Sequence, residues 1–306
     1  MPIINQIVKG GGGSAPAHYV EKGVSSGTLV NNAASFIDLT GVTDLGGFAL
    51  AYAYYGNMNI NPNVNMSSLT QISGRYALFY TFAHSGITSL DMSNVTQITG
   101  SNACENMCAE CSLLTSVDLG SLGDITGLSA SFQDCSNLTS VDLSGATAIS
   151  GADSTFYGCT GLTSIDLHNV TIIYYANQMF YSCTSLATAD VSGVEEITNN
   201  AANSMFVGCT SLTTMTWTSL NKLWAQALYD AYFGSGIQTL YFPALTTFGD
   251  DVDPVNNPDS DPFYYMLEGV DGCTVHFPAA LQATIGNWPS VQSGFEGTNT
   301  TVLFDL

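Results

Sequence analysis

The amino-acid sequence predicts an α/β repeat solenoid, a stack of about ten turns with a parallel β-sheet and short helical segments. Three observations predict it. A six-residue phrase recurs, its members alternate apolar and polar, and one mostly acidic position can be followed down most of the chain.

The phrase reads Leu114-Thr-Ser-Val-Asp-Leu119, Leu138-Thr-Ser-Val-Asp-Leu143, Leu162-Thr-Ser-Ile-Asp-Leu167 and Leu186-Ala-Thr-Ala-Asp-Val191. Its acidic column runs through Asp38, Asn65, Asp91, Asp118, Asp142, Asp166, Asp190, Thr216, Tyr241 and His276, at spacings from 24 to 35 residues. Val141 and Leu143 should face one way and Ser140 and Asp142 the other, the period of two that marks a half-buried strand. One turn cannot bury its own apolar face, but stacked turns share a continuous core. At about 4.8 Å per strand, the stack would be on the order of 50 Å long.

A second short apolar segment follows each phrase, as in Val95-Thr-Gln-Ile98, Val170-Thr-Ile-Ile173, Val194-Glu-Glu-Ile197 and Leu245-Thr-Thr-Phe248, and reads as a second short strand. Then comes a stretch such as Ala152-Asp-Ser-Thr-Phe-Tyr-Gly-Cys159 or Asn203-Ser-Met-Phe-Val-Gly-Cys209. Its aromatic residue before a Gly that can take positive φ predicts one or two turns of α or 3₁₀ helix.

The pattern Phe-x-x-Cys-x-x-Leu-x-x-Val-x-Leu, seen at Phe132 to Leu143, Phe156 to Leu167 and Phe206 to Trp217, resembles the BspA-like leucine-rich repeat family. The resemblance covers roughly residues 36 to 277 and implies a leucine-rich-repeat stack. It also implies a role among bacterial or protozoal surface proteins, adhesins or phage virion components. Fold alone does not choose among these.

Residues 36–277 are expected to form the solenoid, with 1–35 as a docking peptide, Gly-rich linker and cap, and 278–306 as a C-terminal cap. The opening segment carries Ile3, Ile4, Ile7 and Val8 ahead of Gly10 to Gly13. Two readings stand open for it: a strand that docks on another protein, or a tail or cap. The closing segment breaks the repeat at Pro278 and Trp288-Pro289. Together with the Gly-rich opening and the Tyr-rich repeats, it is similar to virion-associated repeat proteins of phages infecting gut bacteria.

Four basic residues, Lys9, Lys22, Arg75 and Lys222, stand against 25 acidic ones, for a net charge of −21. Such a surface repels phosphate backbones and anionic lipids, so no nucleic-acid partner is expected. No stretch reaches about 18 uninterrupted apolar residues, so no membrane insertion is expected either.

Cys104-x-x-x-Cys108-x-x-Cys111 has the spacing of the iron–sulfur motif of radical S-adenosylmethionine enzymes. However, Cys111, Cys135, Cys159, Cys183 and Cys209 each fall seven residues before their turn's acidic-column position, so Cys111 is a member of the repeat. The five should form a buried column of free thiols, with no metal or other cofactor. His18, His84, His168 and His276 are scattered, and no nucleophile, HExxH or phosphate-loop motif accompanies them. The segment Asp250 to Asp261 offers oxygen ligands that calcium favours, but it lacks the EF-hand order and reads as a solvated acidic loop.

The chain is therefore expected to be a non-enzymatic binding or structural protein. The leading expectation is a phage virion component such as a tail, fibre or head decoration, because the opening shows no export leader; the alternative is a bacterial cell-surface adhesin. Its expected ligand-binding residues are Asp142, Asp166, Asp190 and Tyr241 on the outward strand face, with Trp217 and Tyr232 as aromatic neighbours. Trp217, however, falls in the inward column, where filling the core is the alternative. The acidic column likewise has two readings, a ladder for cations or a basic ligand and a set of hydrogen-bond acceptors for nearby backbone. Expected partners are other virion or surface proteins through the N-terminal peptide, and a host surface protein or glycan; self-association stays open.

Overall fold

The computed structural model describes residues 37–39, 41–58 and 64–306. Ile3, Ile4, Ile7 and Val8 lie outside the described residues. The chain divides into two compact units, one ending at Ala146 and one spanning Thr147–Leu306. Each is a stack of short parallel strands in which successive turns of chain lie one upon the next.

The first side of each turn is the phrase itself. In the first unit its strands are Ile37–Asp38, Val64–Asn65, Ser89–Asp91, Ser116–Asp118 and Ser140–Asp142. In the second they are Ser164–Asp166, Thr188–Asp190, Thr214–Thr216, Thr239–Tyr241, Thr274–Phe277 and Thr301–Phe304. Asp91 stands opposite Asp118 and Asp118 opposite Asp142; in the second unit Asp166 faces Asp190, and Thr216, Tyr241 and His276 follow one another. The acidic column is thus the register of the sheet. Leu90, Val117, Ile165, Met215 and Leu240 point inward and are buried, as alternation requires.

The second side consists of two-residue strands. In the first unit Asp44–Leu45, Gln71–Ile72 and Gln97–Ile98 pair in parallel; in the second, Ala148–Ile149, Ile172–Ile173, Glu196–Ile197, Lys222–Leu223 and Thr247–Phe248 do so. Thr hydroxyls bond the carbonyl of the Thr one turn earlier, as in Thr96 to Thr70 (3.2 Å) and Thr171 to Thr147 (3.2 Å).

The third side corrects the helical expectation. It is a ribbon of overlapping β-turns. Between Ala152 and Cys159, Thr155, Tyr157 and Cys159 donate their N–H to the carbonyl three residues back, while Ala152, Ser154, Phe156 and Gly158 donate to Tyr175, Asn177, Met179 and Tyr181 on the next turn. The backbone is left-handed at every fourth position: Tyr76, Tyr80 and His84 (φ 57, 50 and 56) in the first unit, Asn200, Ser204 and Gly208 (φ 53, 55 and 67) in the second. An α-helix satisfies its N–H groups within itself, whereas this ribbon sends half of them to its neighbour and so stacks without a gap. A left-handed residue with a side chain costs about 1–2 kcal/mol, which the inter-turn hydrogen bonds offset. Among the described residues, helix is confined to Pro258–Ser260, Ala279–Leu281, Gln282–Ile285 and Pro289–Gln292.

Inside, equivalent residues of successive turns stack. Phe156, Phe180, Phe206 and Tyr232 form a ladder with ring centroids 5.7, 5.6 and 5.6 Å apart and nearly parallel planes. Beside it the thiols of Cys183 and Cys209 donate to the Phe156 and Phe180 carbonyls (3.1 Å each), and in the first unit Cys135 donates to Cys108 (3.1 Å). Cysteine fits this corner because it is small and apolar yet carries a weak donor for a buried carbonyl. At the end of the second unit, Leu281, Ile285, Trp288, Val291 and Phe295 close the core, with Trp288 edge-on to Phe248 at 4.7 Å. No helix among the described residues is long and apolar enough to cross a membrane.

Candidate functional site

In the first unit, the ribbon of two successive turns turns seven rings outward. The inward positions hold Leu50, Tyr54, Leu78 and Phe82, all buried. Two residues away from each, the chain presents Phe48, Tyr52, Tyr76, Tyr80 and His84 at left-handed positions, with Tyr55 and Phe79 alongside. The turns are locked together by Leu50, Tyr52 and Tyr54 N–H bonds to Ala77, Phe79 and Thr81 (2.8, 2.9 and 2.8 Å), so the rings ride on ordered backbone.

Tyr52 and Tyr80 stack in parallel at 5.3 Å. Phe79 meets Tyr52, Tyr76 and Tyr80 edge-on at 5.4, 4.8 and 4.7 Å, Phe48 leans on Tyr76 at 5.3 Å, and Tyr55 on His84 at 5.1 Å. Phe48 is 45% and Tyr55 37% exposed, so the cluster has open ring area rather than a sealed core. The Arg75 guanidinium lies 4.8 Å over the Tyr76 ring, and His84 Nδ1 lies 3.1 Å from Glu110. Burial, then the neighbouring Tyr52 and Glu105, push the Tyr80 phenol up. One turn further, the same ribbon columns change to polar side chains, Asn102, Asn106 and Glu110, each again left-handed. Open aromatic faces next to amides and carboxylates can stack on a ring and hydrogen-bond its hydroxyls.

The expected strand-face residues are placed as follows. Asp142, Asp166 and Asp190 are exposed, and each carboxylate accepts the backbone N–H two residues on, from Ser144, His168 and Ser192 at 2.9, 3.0 and 3.0 Å. Hydrogen bonds from Ser144 and Ser192 hold Asp142 and Asp190 below the usual carboxylate range. Tyr241 is half-buried, with His276 stacked on it at 4.5 Å, and His276 Nδ1 lies 2.9 Å from the Asp305 carboxylate. Trp217 is wholly buried; its Nε1 donates to the Tyr232 hydroxyl at 2.9 Å, which donates to the Met215 sulfur at 2.9 Å. Trp217 and Tyr232 therefore fill the core and are not contact residues.

The cysteines of the iron–sulfur spacing are separated by role. Cys104 lies in the inward column that holds Leu50 and Leu78, Cys108 in the column of Tyr54 and Phe82, and Cys111 in the thiol corner, where it donates to Phe82 at 2.9 Å. All three are buried, and no group of three or more metal-ligating side chains is assembled among the described residues. In the acidic loop, Asp253 accepts from Asn256 (2.9 Å) and the buried Asp261 accepts the Phe263 N–H (2.9 Å), so these carboxylates serve separate local turns.

Sequence reasoning considered aromatic side chains of the strand face and did not anticipate the outward rings of the ribbon. Aromatic residues at every fourth position, 48 and 52, then 76, 80 and 84, were the available signal.

Six copies of the BspA type leucine rich repeat region match residues 51–145 and 105–234, more than half of the chain. The chain belongs to this family. No curated protein matches this BspA-type chain. Among solved structures it is similar to a leucine-rich repeat protein from Bacteroides ovatus, at 16% identity and a TM-score of 0.34, over 87% of this chain and 82% of that one. It is also similar to a leucine rich cell surface protein from Faecalibacterium prausnitzii, at 15% identity and a TM-score of 0.26, over 72% of this chain and 80% of that one.

Proposed function

We propose that this BspA-type chain is a non-enzymatic binding protein displayed at a surface, that of a bacterial cell or of a phage particle, and that it holds glycans on the aromatic ribbon face. The observation that carries this reading is the cluster of seven outward rings on two adjoining turns, next to Asn102, Asn106 and Glu110. Sugar rings offer apolar C–H faces to such platforms and hydroxyls to the flanking amides and carboxylates. A repeat stack suits this task because its rigid backbone fixes the platform before the ligand arrives, lowering the ordering cost of binding.

The test is binding of the full chain to a glycan array and to isolated bacterial envelope, comparing the native protein with Tyr55→Ala, Phe48→Ala and Tyr241→Ala. Loss of binding by about tenfold or more in the first two variants, with unchanged melting temperature, supports the ribbon face. Loss only in Tyr241→Ala would move the site to the strand face of the second unit, which also carries Asp166 and Asp190. Antibody labelling of cells against purified particles separates the two display surfaces.

A further inference from the structure

The last strand, Thr301–Phe304, has one open side. It pairs with Thr274–Phe277 and ends its sheet, with no further strand beside it among the described residues. Thr301 N–H donates to Cys273 at 2.8 Å and Asp305 N–H to Phe277 at 3.2 Å, both toward the sheet. In a parallel ladder alternate residues bond alternate sides, so the N–H groups of Val302 and Phe304 point to the open edge. This edge is also apolar on both faces. Val302 and Phe304 continue the inward column of Val275 and Phe277, with the two Phe rings 5.8 Å apart, but they are half-exposed where Val275 and Phe277 are buried. Leu303, on the other face, is half-exposed as well, and Leu306 is exposed. Trp288, just ahead of Pro289–Gln292, packs on Phe248 and Phe263, while Ala279 N–H donates to the Leu306 carbonyl at 3.1 Å, just past the end of the strand. An apolar sheet edge is a template for another strand.

We propose that residues 2–9 of a second copy of this chain add to that edge as a parallel strand and join copies head to tail. As a strand, the segment Pro2-Ile-Ile-Asn-Gln-Ile-Val-Lys9 would carry Ile3 and Ile7 on one face and Ile4 and Val8 on the other, which matches an edge apolar on both faces. Its charge is complementary. Residues 1–20 contain no Asp or Glu and include Lys9, whereas the strand is flanked by the exposed Asp271 and Asp305. Parallel addition, the sense of every other pairing in the stack, brings Lys9 to the Asp305 end. Two such edges meeting each other would instead bring these carboxylates together. The contact uses different surfaces on its two sides, so it is heterologous, the kind that links copies head to tail into chains or closed rings. It is independent of the glycan reading.

The experiment measures the mass of the full chain by light scattering over about a hundredfold concentration range, beside a variant lacking residues 1–13 and Val302→Pro. The substitution removes an N–H that points to the open edge and leaves the bonds to Thr274–Phe277 in place. The expected result is mass that grows with concentration in the native chain and stays monomeric in both variants. A synthetic peptide of residues 2–9 should dissolve the native assemblies and bind the truncated chain, at least about tenfold more weakly after Val302→Pro; the first of these needs no altered protein. A native chain that stays monomeric, assembly that survives the truncation, or assembly unmoved by the peptide would overturn the proposal.

Discussion

Ser182→Gly should stabilise the protein, and the sign of that change tests the third side of the solenoid. Ser182 has φ 57, and its column continues Gly158 before it and Gly208 after it (φ 69 and 67). An L side chain in this conformation costs about 1–2 kcal/mol, while glycine costs about 0.5–1 kcal/mol of extra chain entropy on folding. The difference leaves a gain of roughly 0.5–1 kcal/mol. In a helical turn the same substitution would lose a similar amount. Ser182 N–H donates to Val207 at 2.7 Å through backbone alone, so glycine retains the bond between turns. The assay is urea unfolding of the full chain, with Gly208→Ser as the mirror experiment. A Cβ on Gly208 would stand 3.4 Å from the Ser182 hydroxyl, at ordinary contact, so its cost is conformational rather than steric. Destabilisation by Ser182→Gly would refute the left-handed ribbon.

Three further outcomes follow from the packing and the titrating groups. Gly193→Ala should cost about 1–3 kcal/mol, because the added Cβ meets the His168 carbonyl of the preceding turn; an unchanged unfolding midpoint would mean the turns are less closely stacked. Asp142 and Asp190 have depressed folded pKa values, so their stabilisation is present above the ordinary carboxylate value of about 4 and fades as pH falls through the folded one. Native protein should thus exceed the double variant Asp142→Asn, Asp190→Asn at neutral pH and converge with it in acid, as measured by unfolding across pH. All eight cysteines are buried, and burial pushes the Cys209 and Cys273 thiols up to about 12, so a thiol reagent should react only as fast as the chain unfolds. Fewer than eight thiols after denaturation would reveal a disulfide.

The sequence by itself determined the repeat, its register and its inward columns. Strand periodicity is a local property, and a column that repeats at turn spacing has one way to stack, so Asp91, Asp118 and Asp142 were aligned before any coordinate was known. The buried thiol corner was legible for the same reason, since Cys135 and Cys183 keep a constant offset from that register. Tertiary structure alone decided the third side and the faces of the aromatics. A segment such as Asp153-Ser-Thr-Phe-Tyr-Gly158 satisfies its backbone within a helix or by sharing bonds with neighbouring turns, and local sequence does not choose, because the deciding partners lie 23 residues away. The stacked neighbour made the left-handed ribbon the better solution. That ribbon turned Phe48, Tyr52, Tyr76 and Tyr80 outward while Tyr232 went inside; the inward place of Trp217 was already legible from strand alternation. The tertiary structure likewise left Val302 and Phe304 half-exposed at the edge of their sheet among the described residues.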